Sequence, residues 1–368
     1  MQVVTSEFVK GKKVLLRYDI DVALRLASLA QGKPSVAGEM VVVEDFKLKA
    51  GLPTLKLCLE NASKVIIIGH LGRPFKTVDD EKAGNPLELS AKPVQEWFEQ
   101  ALGMEVAFAQ NLEQAATSTG KIVLLENIRF FHGEVPGLDY HTTCTSKTCD
   151  IDFAKKLASL GEVYVNEAFS AHNPAASTTM VPTLLPHAAG LHFAEEVKIL
   201  GEVRDNPRQP FVAIMGGAKV TDKLPVITML AEKADAVLVG GKLVSEIREQ
   251  GLSLPNNVMV GKMNEAGTDI APETAESWSG LIKGAKMIVW NGPLGKFEDP
   301  GNVQSGKIAR MVLDSGAEVI IGGGDTVSLL GSLEILGEFE KKGFVSVGGG
   351  AMLKFLAEGT LPTIEALK

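Results

Sequence analysis

The stretch FVAIMGGAKVTDK, residues 211–223, passes from five apolar residues to a pair of glycines and then into a lysine-bearing helical pattern. A short run of that kind suits a strand buried on both faces, as in a parallel sheet. The glycines suit a tight turn into the next helix, where a side chain would clash. The same grammar recurs downstream. Residues 236–239 run into Gly240-Gly241 and a helical stretch 243–250, and residues 287–290 precede Asn291-Gly292-Pro293. Residues 319–321 precede Gly322-Gly323-Gly324, and Val345 leads to Gly348-Gly349-Gly350. Five strands that each meet a glycine turn predict a doubly wound sheet with its ligand edge at the carboxyl ends of the strands.

The first half follows the same scheme with fewer glycines. Its strand-like runs are 14–17, 65–68, 122–125 and 163–165, interleaved with helical patterns at 87–102 and 151–160. The expected fold is therefore α/β, with two doubly wound, Rossmann-like parallel-sheet lobes joined by a hinge helix. Pro174, Pro182, Pro186, Pro207 and Pro210 bracket a helix-like stretch at 194–203. The expected division is a first lobe at 1–180, a connector at 181–205 and a second lobe at 206–355. A terminal segment, 356–368, is expected to return to the first lobe.

Composition excludes several classes. With 37 basic and 45 acidic side chains the net charge is −8, a poor match for sequence-independent binding of nucleic acid. Any anionic ligand must be held by a local basic cluster. No apolar stretch reaches the roughly 18 residues of a membrane span, and residues 1–13 lack the apolar core of a signal peptide. Cys58, Cys144 and Cys149 form an odd set that fits a reducing compartment, so a cytoplasmic chain is expected. Cys144 and Cys149 read as a surface-loop pair, or as a disulfide or metal clip.

The glycine turns suggest phosphate. A glycine turn that opens a helix exposes backbone N–H groups beside the positive end of the helix dipole. Neither the P-loop pattern nor the dinucleotide fingerprint is present, so the grip takes another form. Lys219 and Lys223 are four apart and would share a helix face toward the anion, or form a solvated basic stripe. Asp325 could cap a helix or, beside bound phosphate, hold Mg²⁺, which favours one or two carboxylates plus phosphate oxygens. In the first half, Arg17 to Asp21, Gly69 to Pro74 and Glu126 to Arg129 each close a strand-like run. Three arginines (Arg17, Arg73, Arg129) and His70 there suggest a pocket for a small multiply charged anion, although singly each could be a surface ion-pair partner.

Taken together, GHLGRP (69–74), LLENIRF (124–130), MGGAKVTDK (215–223), VWNGPLGKFE (289–298), IIGGGDT (320–326) and SVGGGA (346–351) resemble the phosphoglycerate kinase family nearly end to end. The resemblance implies a hinge-closing, monomeric kinase that moves a phosphoryl group between Mg-ATP and 3-phosphoglycerate. The acid would sit on the first lobe and the nucleotide on the second. By that pattern Asp19, Asp21, His70, Arg73 and Arg129 stand where the acid is bound. Lys219, Lys47 and Arg129 would supply catalytic charge. Gly217, Lys219, Lys223, Gly240, Asn291, Glu298, Gly322, Gly323, Gly324, Asp325, Thr326, Gly348 and Gly349 would line the nucleotide, with Asp325 on Mg²⁺.

Departures from the family cluster on the acid side. Asp21 stands where asparagine is expected, Lys47 where an arginine is expected, and Asn173 where an arginine follows the histidine now at His172. The segment 24–40 is longer than the family's loop, and the stretch from Gly241 to Met287 is shorter. Val347 replaces a threonine and Lys354 an acid. These changes leave two alternatives beside a working enzyme: a kinase of the same fold with another small acid acceptor, or a nucleotide-binding homologue without turnover.

Overall fold

In β1 (Lys13–Arg17) Val14, Leu15 and Leu16 are all fully buried, so both faces of the strand are covered and no polar alternation appears in the sequence. The computed structural model describes residues 1–27, 40–75, 85–135, 150–217 and 220–368. The chain divides into two units, Met1–Glu196 with Leu361–Lys368, and Val197–Thr360.

In the first unit, β2 (Leu24–Leu26) and β3 (Met40–Val42) form a small antiparallel pair. The main sheet adds β4 (Lys64–Ile68), β5 (Ala107–Ala109), β6 (Ile122–Leu125), β7 (Val163–Asn166) and β8 (His187–Ala189). Its order among the described residues is β5-β6-β4-β1-β7-β8, all parallel. From β1 the chain moves outward on one side through β4, then returns to β7 on the other. A crevice therefore opens past the carboxyl ends of β1 and β7, where successive connections leave in opposite directions. Leu16, Ile67, Leu124 and Val165 pack one core with Leu48, Leu55 and Phe98 of the flanking helices Phe46–Asn61 and Lys92–Leu102. Each such side chain contributes about 1.5–3 kcal/mol by leaving water.

The second unit holds β9 (Phe211–Met215), β10 (Ala236–Val239), β11 (Val258–Val260), β12 (Met287–Asn291), β13 (Glu318–Gly322) and β14 (Gly343–Ser346). They pair in parallel in the order β11-β10-β9-β12-β13-β14. The reversal lies between β9 and β12. Both sheets agree with the expected doubly wound α/β class. β11 had no clear sequence signal because it is three residues long and its central Met259 is exposed.

Two elements differ from expectation. The helical pattern 87–102 breaks into a 3-10 turn, Leu87–Leu89, and the helix Lys92–Leu102. The Glu126 carboxylate accepts from Ser90 Oγ and the Ala91 backbone N–H at 2.8 and 2.6 Å, drawing the chain out of helix between them. The helix-like stretch 194–203 extends to Leu191–Asp205, and its first turn is anchored by His192 and Phe193 N–H groups donating to the Glu167 carboxylate. The boundary between the units falls inside this helix. Among the described residues no helix is long and apolar enough to cross a membrane.

Candidate active site

The ladder register of the first sheet sets its carboxyl edge. Arg17, last in β1, lies level with Ile68 of β4 and Asn166 of β7. Beyond the strands the backbone bonds Tyr18 N to Ile68 O, Glu167 N to Arg17 O and Ile128 N to Gly69 O carry the sheet one step further. Four loops are thereby held side by side, and they surround a cavity of about 270 Å³. Arg17, Asp21, His70, Arg73, Arg129, Glu134, Ser170, His172 and Asn173 are among its lining residues. Three guanidinium groups face two carboxylates there, a setting for a small anion.

The loop bearing His70 and Arg73 is shaped from outside. Asn127, wholly buried, accepts from Leu71 N at 3.1 Å and donates to Leu71 O and Leu89 O. Gly72 takes a φ of +56°, where a Cβ would strike Leu89. Its N–H donates to Asp21 Oδ1 at 2.8 Å and its carbonyl accepts from the Arg129 guanidinium. Asp21 thus fastens the loop through an acceptor that an asparagine would also offer.

Lys47 does not line the cavity. Its ammonium lies 3.7 Å from Asp19 Oδ1 and 4.0 Å from Asp21 Oδ2. Burial alone would lower its pKa, but the two carboxylates outweigh that and raise it. Asp19 also accepts from the Ser170 hydroxyl. Two of the departures, at 21 and 47, are therefore one ion pair. The third, Asn173, shares the cavity with its neighbour His172, whose Nδ1 donates to Ser170 O at 3.0 Å.

Arg17 is 1% exposed. Its guanidinium donates to Ser177 Oγ at 3.1 Å, Tyr18 O at 2.8 Å and His70 Nδ1 at 2.7 Å. Ser177 in turn donates its hydroxyl and backbone N–H to Glu134, at 2.6 and 3.0 Å. Burial raises the pKa of Glu134, against the opposing pull of Arg17 and Ser177. Glu134 and Ser177 escaped sequence reading because they are 43 residues apart and neither lies in a strand-end motif.

In the second unit, the turns after β9 and β12 interlock. Gly216 N bonds Asn291 O at 2.9 Å and Gly217 N bonds Pro293 O at 2.8 Å. A Cβ on Gly216 would lie 2.2 Å from Pro293 O, and Gly217 and Gly292 adopt φ of +85° and +91°. Lys223 donates to Gly216 O and to Asn291 Oδ1, the latter at 3.0 Å. Asn291 Nδ2 is buried with no hydrogen-bond partner among the described residues. Thr326 is fully buried and ties the turns together, accepting from Gly292 N at 2.7 Å and donating to Gly322 O at 2.9 Å.

A second cavity, about 390 Å³, is lined by residues that include Gly217, Gly241, Thr268, Phe297, Glu298 and Asp325. Asp325 stands in the first turn of the helix Gly324–Ser332, but Gly323 (φ +99°) occupies the cap, so Asp325 is not the capping residue. Gly240, Gly322 and Gly349 answer to packing: a Cβ would meet Leu294, Met352 and the Gly323 backbone at 2.7, 2.1 and 2.4 Å. Gly348 precedes the helix Gly349–Glu358 as its cap. Lys219, Cys144, Cys149 and His141 lie outside the described residues.

Fold and sites together define a two-lobed α/β protein with an arginine-lined cavity at the switch point of one sheet and a glycine-turn cleft at that of the other. A family model described as phosphoglycerate kinase matches residues 4–259 and 248–359. The phosphoglycerate kinase of Solibacter usitatus is 35% identical over 97% of each chain, and that of Dictyoglomus turgidum 33% over 99% of this chain and 97% of the relative. Among solved structures, phosphoglycerate kinase from Coxiella burnetii aligns with a TM-score of 0.73 at 27% identity, covering 98% of this chain and 96% of that one. The enzyme from Pyrococcus horikoshii OT3 aligns at 0.75 and 23% identity over 100% and 98%, a likeness of fold. The chain belongs to the phosphoglycerate kinase family.

Proposed function

We propose that this chain is a working phosphoglycerate kinase, transferring a phosphoryl group reversibly between ATP and the carboxylate of 3-phosphoglycerate to give 1,3-bisphosphoglycerate and ADP. The observation that carries the reading is the first cavity, where Arg17, His70, Arg73 and Arg129 meet at one sheet edge. A carboxylate acceptor is already ionised at neutral pH, so no general base is needed. The reaction needs in-line positioning and positive charge around the transferred group. In this reading Asp19, Asp21, His70, Arg73 and Arg129 hold the acid, while Lys219 supplies charge to the transferring phosphoryl group. Lys47 supports the acid site through Asp19 and Asp21.

The nucleotide would occupy the second cavity, with Glu298 on the ribose side and the turns at 216–217, 240, 322–324 and 348–349 near the phosphates. Lys223 would face the phosphates too, and Thr326 would brace the turns. Asn291 Nδ2, without a hydrogen-bond partner among the described residues, is a donor of the kind a phosphate oxygen takes. Mg²⁺ would arrive as part of the nucleotide substrate. The exposed Asp325 carboxylate at the cleft suits that arrangement, and among the described residues no three His, Cys, Asp or Glu side chains are grouped to hold an ion alone. A changed acceptor is not favoured, because the relatives that match nearly the whole chain are phosphoglycerate kinases.

Steady-state turnover of ATP with 3-phosphoglycerate and Mg²⁺, the product drained by a coupled dehydrogenase, tests the reading. Saturable turnover is expected, and Lys219→Ala should lower kcat by about a hundredfold or more. Nucleotide binding with no turnover of this acid would overturn it.

A further inference from the structure

We infer that Arg17 is a positioning residue that fixes His70 as a neutral imidazole with its one ring proton on Nε2, on the side of the anion cavity. The inference rests on the proposed acid site but is tested independently of turnover.

A guanidinium has donors and no acceptor. The 2.7 Å contact from Arg17 to His70 Nδ1 therefore requires a lone pair on Nδ1. The geometry leaves Arg17 little freedom to swing away. Its Nε and Nη1 also donate, to Ser177 Oγ and Tyr18 O, and Ser177 is itself held by the buried Glu134. Both partners are nearly sealed, Arg17 at 1% and His70 at 6% exposure. With Nδ1 committed, the ring proton sits on Nε2. Nε2 lies 3.9 Å from Asp21 Oδ2, beyond a hydrogen bond, so among the described residues its N–H remains available to a ligand oxygen.

The electrostatic surroundings agree. Burial first, then Arg129, Arg17, Lys47 and Arg73, hold the imidazole well below its ordinary pKa, with the Asp21 carboxylate as the opposing charge nearby. His70 then contributes a directed dipole across the physiological range, and the positive charge of the pocket comes from its arginines. A charged imidazole would draw any anion, whereas a fixed Nε2–H rewards an acceptor placed at one point.

Ring-nitrogen NMR on the full chain labelled with ¹⁵N-histidine, with His70 assigned by its loss in His70→Gln, reads the tautomer directly. Between about pH 5.5 and 8, spanning the ordinary imidazole range, Nδ1 should stay bare and Nε2 protonated. A proton on Nδ1, or a midpoint near the unperturbed value of about 6.5, overturns the inference. Arg17→Met should then release Nδ1, so that the ring-nitrogen spectrum of His70 shows a mixture of the two neutral tautomers. Relative to the parent, its KM for 3-phosphoglycerate should rise by about tenfold, the scale of one charge-assisted contact, with KM for Mg-ATP unchanged. Arg17→Lys, which restores a cationic donor, should recover part of the parental profile. A folded Arg17→Met protein whose His70 keeps a bare Nδ1 and a protonated Nε2 would reduce Arg17 to core filling. If that variant does not fold by circular dichroism, the spectrum of the parent protein decides.

Discussion

Asp21 and Lys47 show how two substitutions can be read only together. Asp21 accepts the Gly72 N–H and lies 4.0 Å from the Lys47 ammonium. Asp21→Asn keeps the acceptor and removes one negative charge from the lining of the proposed acid site, so KM for 3-phosphoglycerate should fall. Because Asp21 is 38% exposed, solvent screens the gain to about threefold. Lys47→Met should act in the opposite sense by leaving Asp19 and Asp21 without their shared cation. Asn173 lines the same cavity, so Asn173→Arg should add a guanidinium to it and lower KM, again measured by steady-state kinetics. An unchanged KM in Asp21→Asn and Asn173→Arg would remove both positions from the acid site.

At the level of elements, the second unit depends on backbone touching backbone. The turns after β9 and β12 approach so closely that a methyl group on Gly216 would sit 2.2 Å from the Pro293 carbonyl oxygen. Gly216→Ala should force the two turns apart, costing about 1–3 kcal/mol of stability as overpacking does. Its dissociation constant for Mg-ADP, read by calorimetric titration, should rise at least about tenfold, since that loss corresponds to about 1.4 kcal/mol. The proposed acid site lies in the other unit, so stabilisation by 3-phosphoglycerate should survive. Loss of both responses would mean that the substitution unfolds the chain rather than opening one cleft.

For the molecule as a whole, the helix Leu191–Asp205 crosses the unit boundary and carries a buried titratable cluster at its start. Burial pushes Glu167 up to about 7, although His192 and the bonds from His192 and Phe193 N–H oppose it. Burial would lower His192, but Glu195, Glu196 and Glu167 outweigh it and raise the imidazole to about 10. Linkage gives both the same sign. The unfolded Glu ionises near pH 4.5 while the folded one keeps its proton, so stability is lost as pH rises toward 7. His192 contributes fully below its unfolded value of about 6.5 and loses that contribution as pH climbs toward about 10. Calorimetric Tm should therefore decline from pH 5 to 9. Glu167→Gln should flatten the decline between pH 5 and 7 and leave the alkaline part, and an unaltered slope would exonerate Glu167.

The sequence alone determined the α/β class, two parallel sheets and the strand ends at which charged residues and glycines gather. Those features are local, since a buried parallel strand must be apolar on both faces and a tight turn must lack a side chain. It also carried the family likeness, which the comparisons bear out. Tertiary structure decided which charges meet. That Lys47 answers Asp21, that Asn173 shares a cavity with His70, and that Glu134 holds Ser177 against Arg17 depend on loops from strands far apart in the chain. It also separated glycines that serve packing, such as Gly240 and Gly349, from those whose φ the turn requires. The physical reason is range: backbone preferences act over a few residues, whereas the partner of a charged side chain is set by strand order and register.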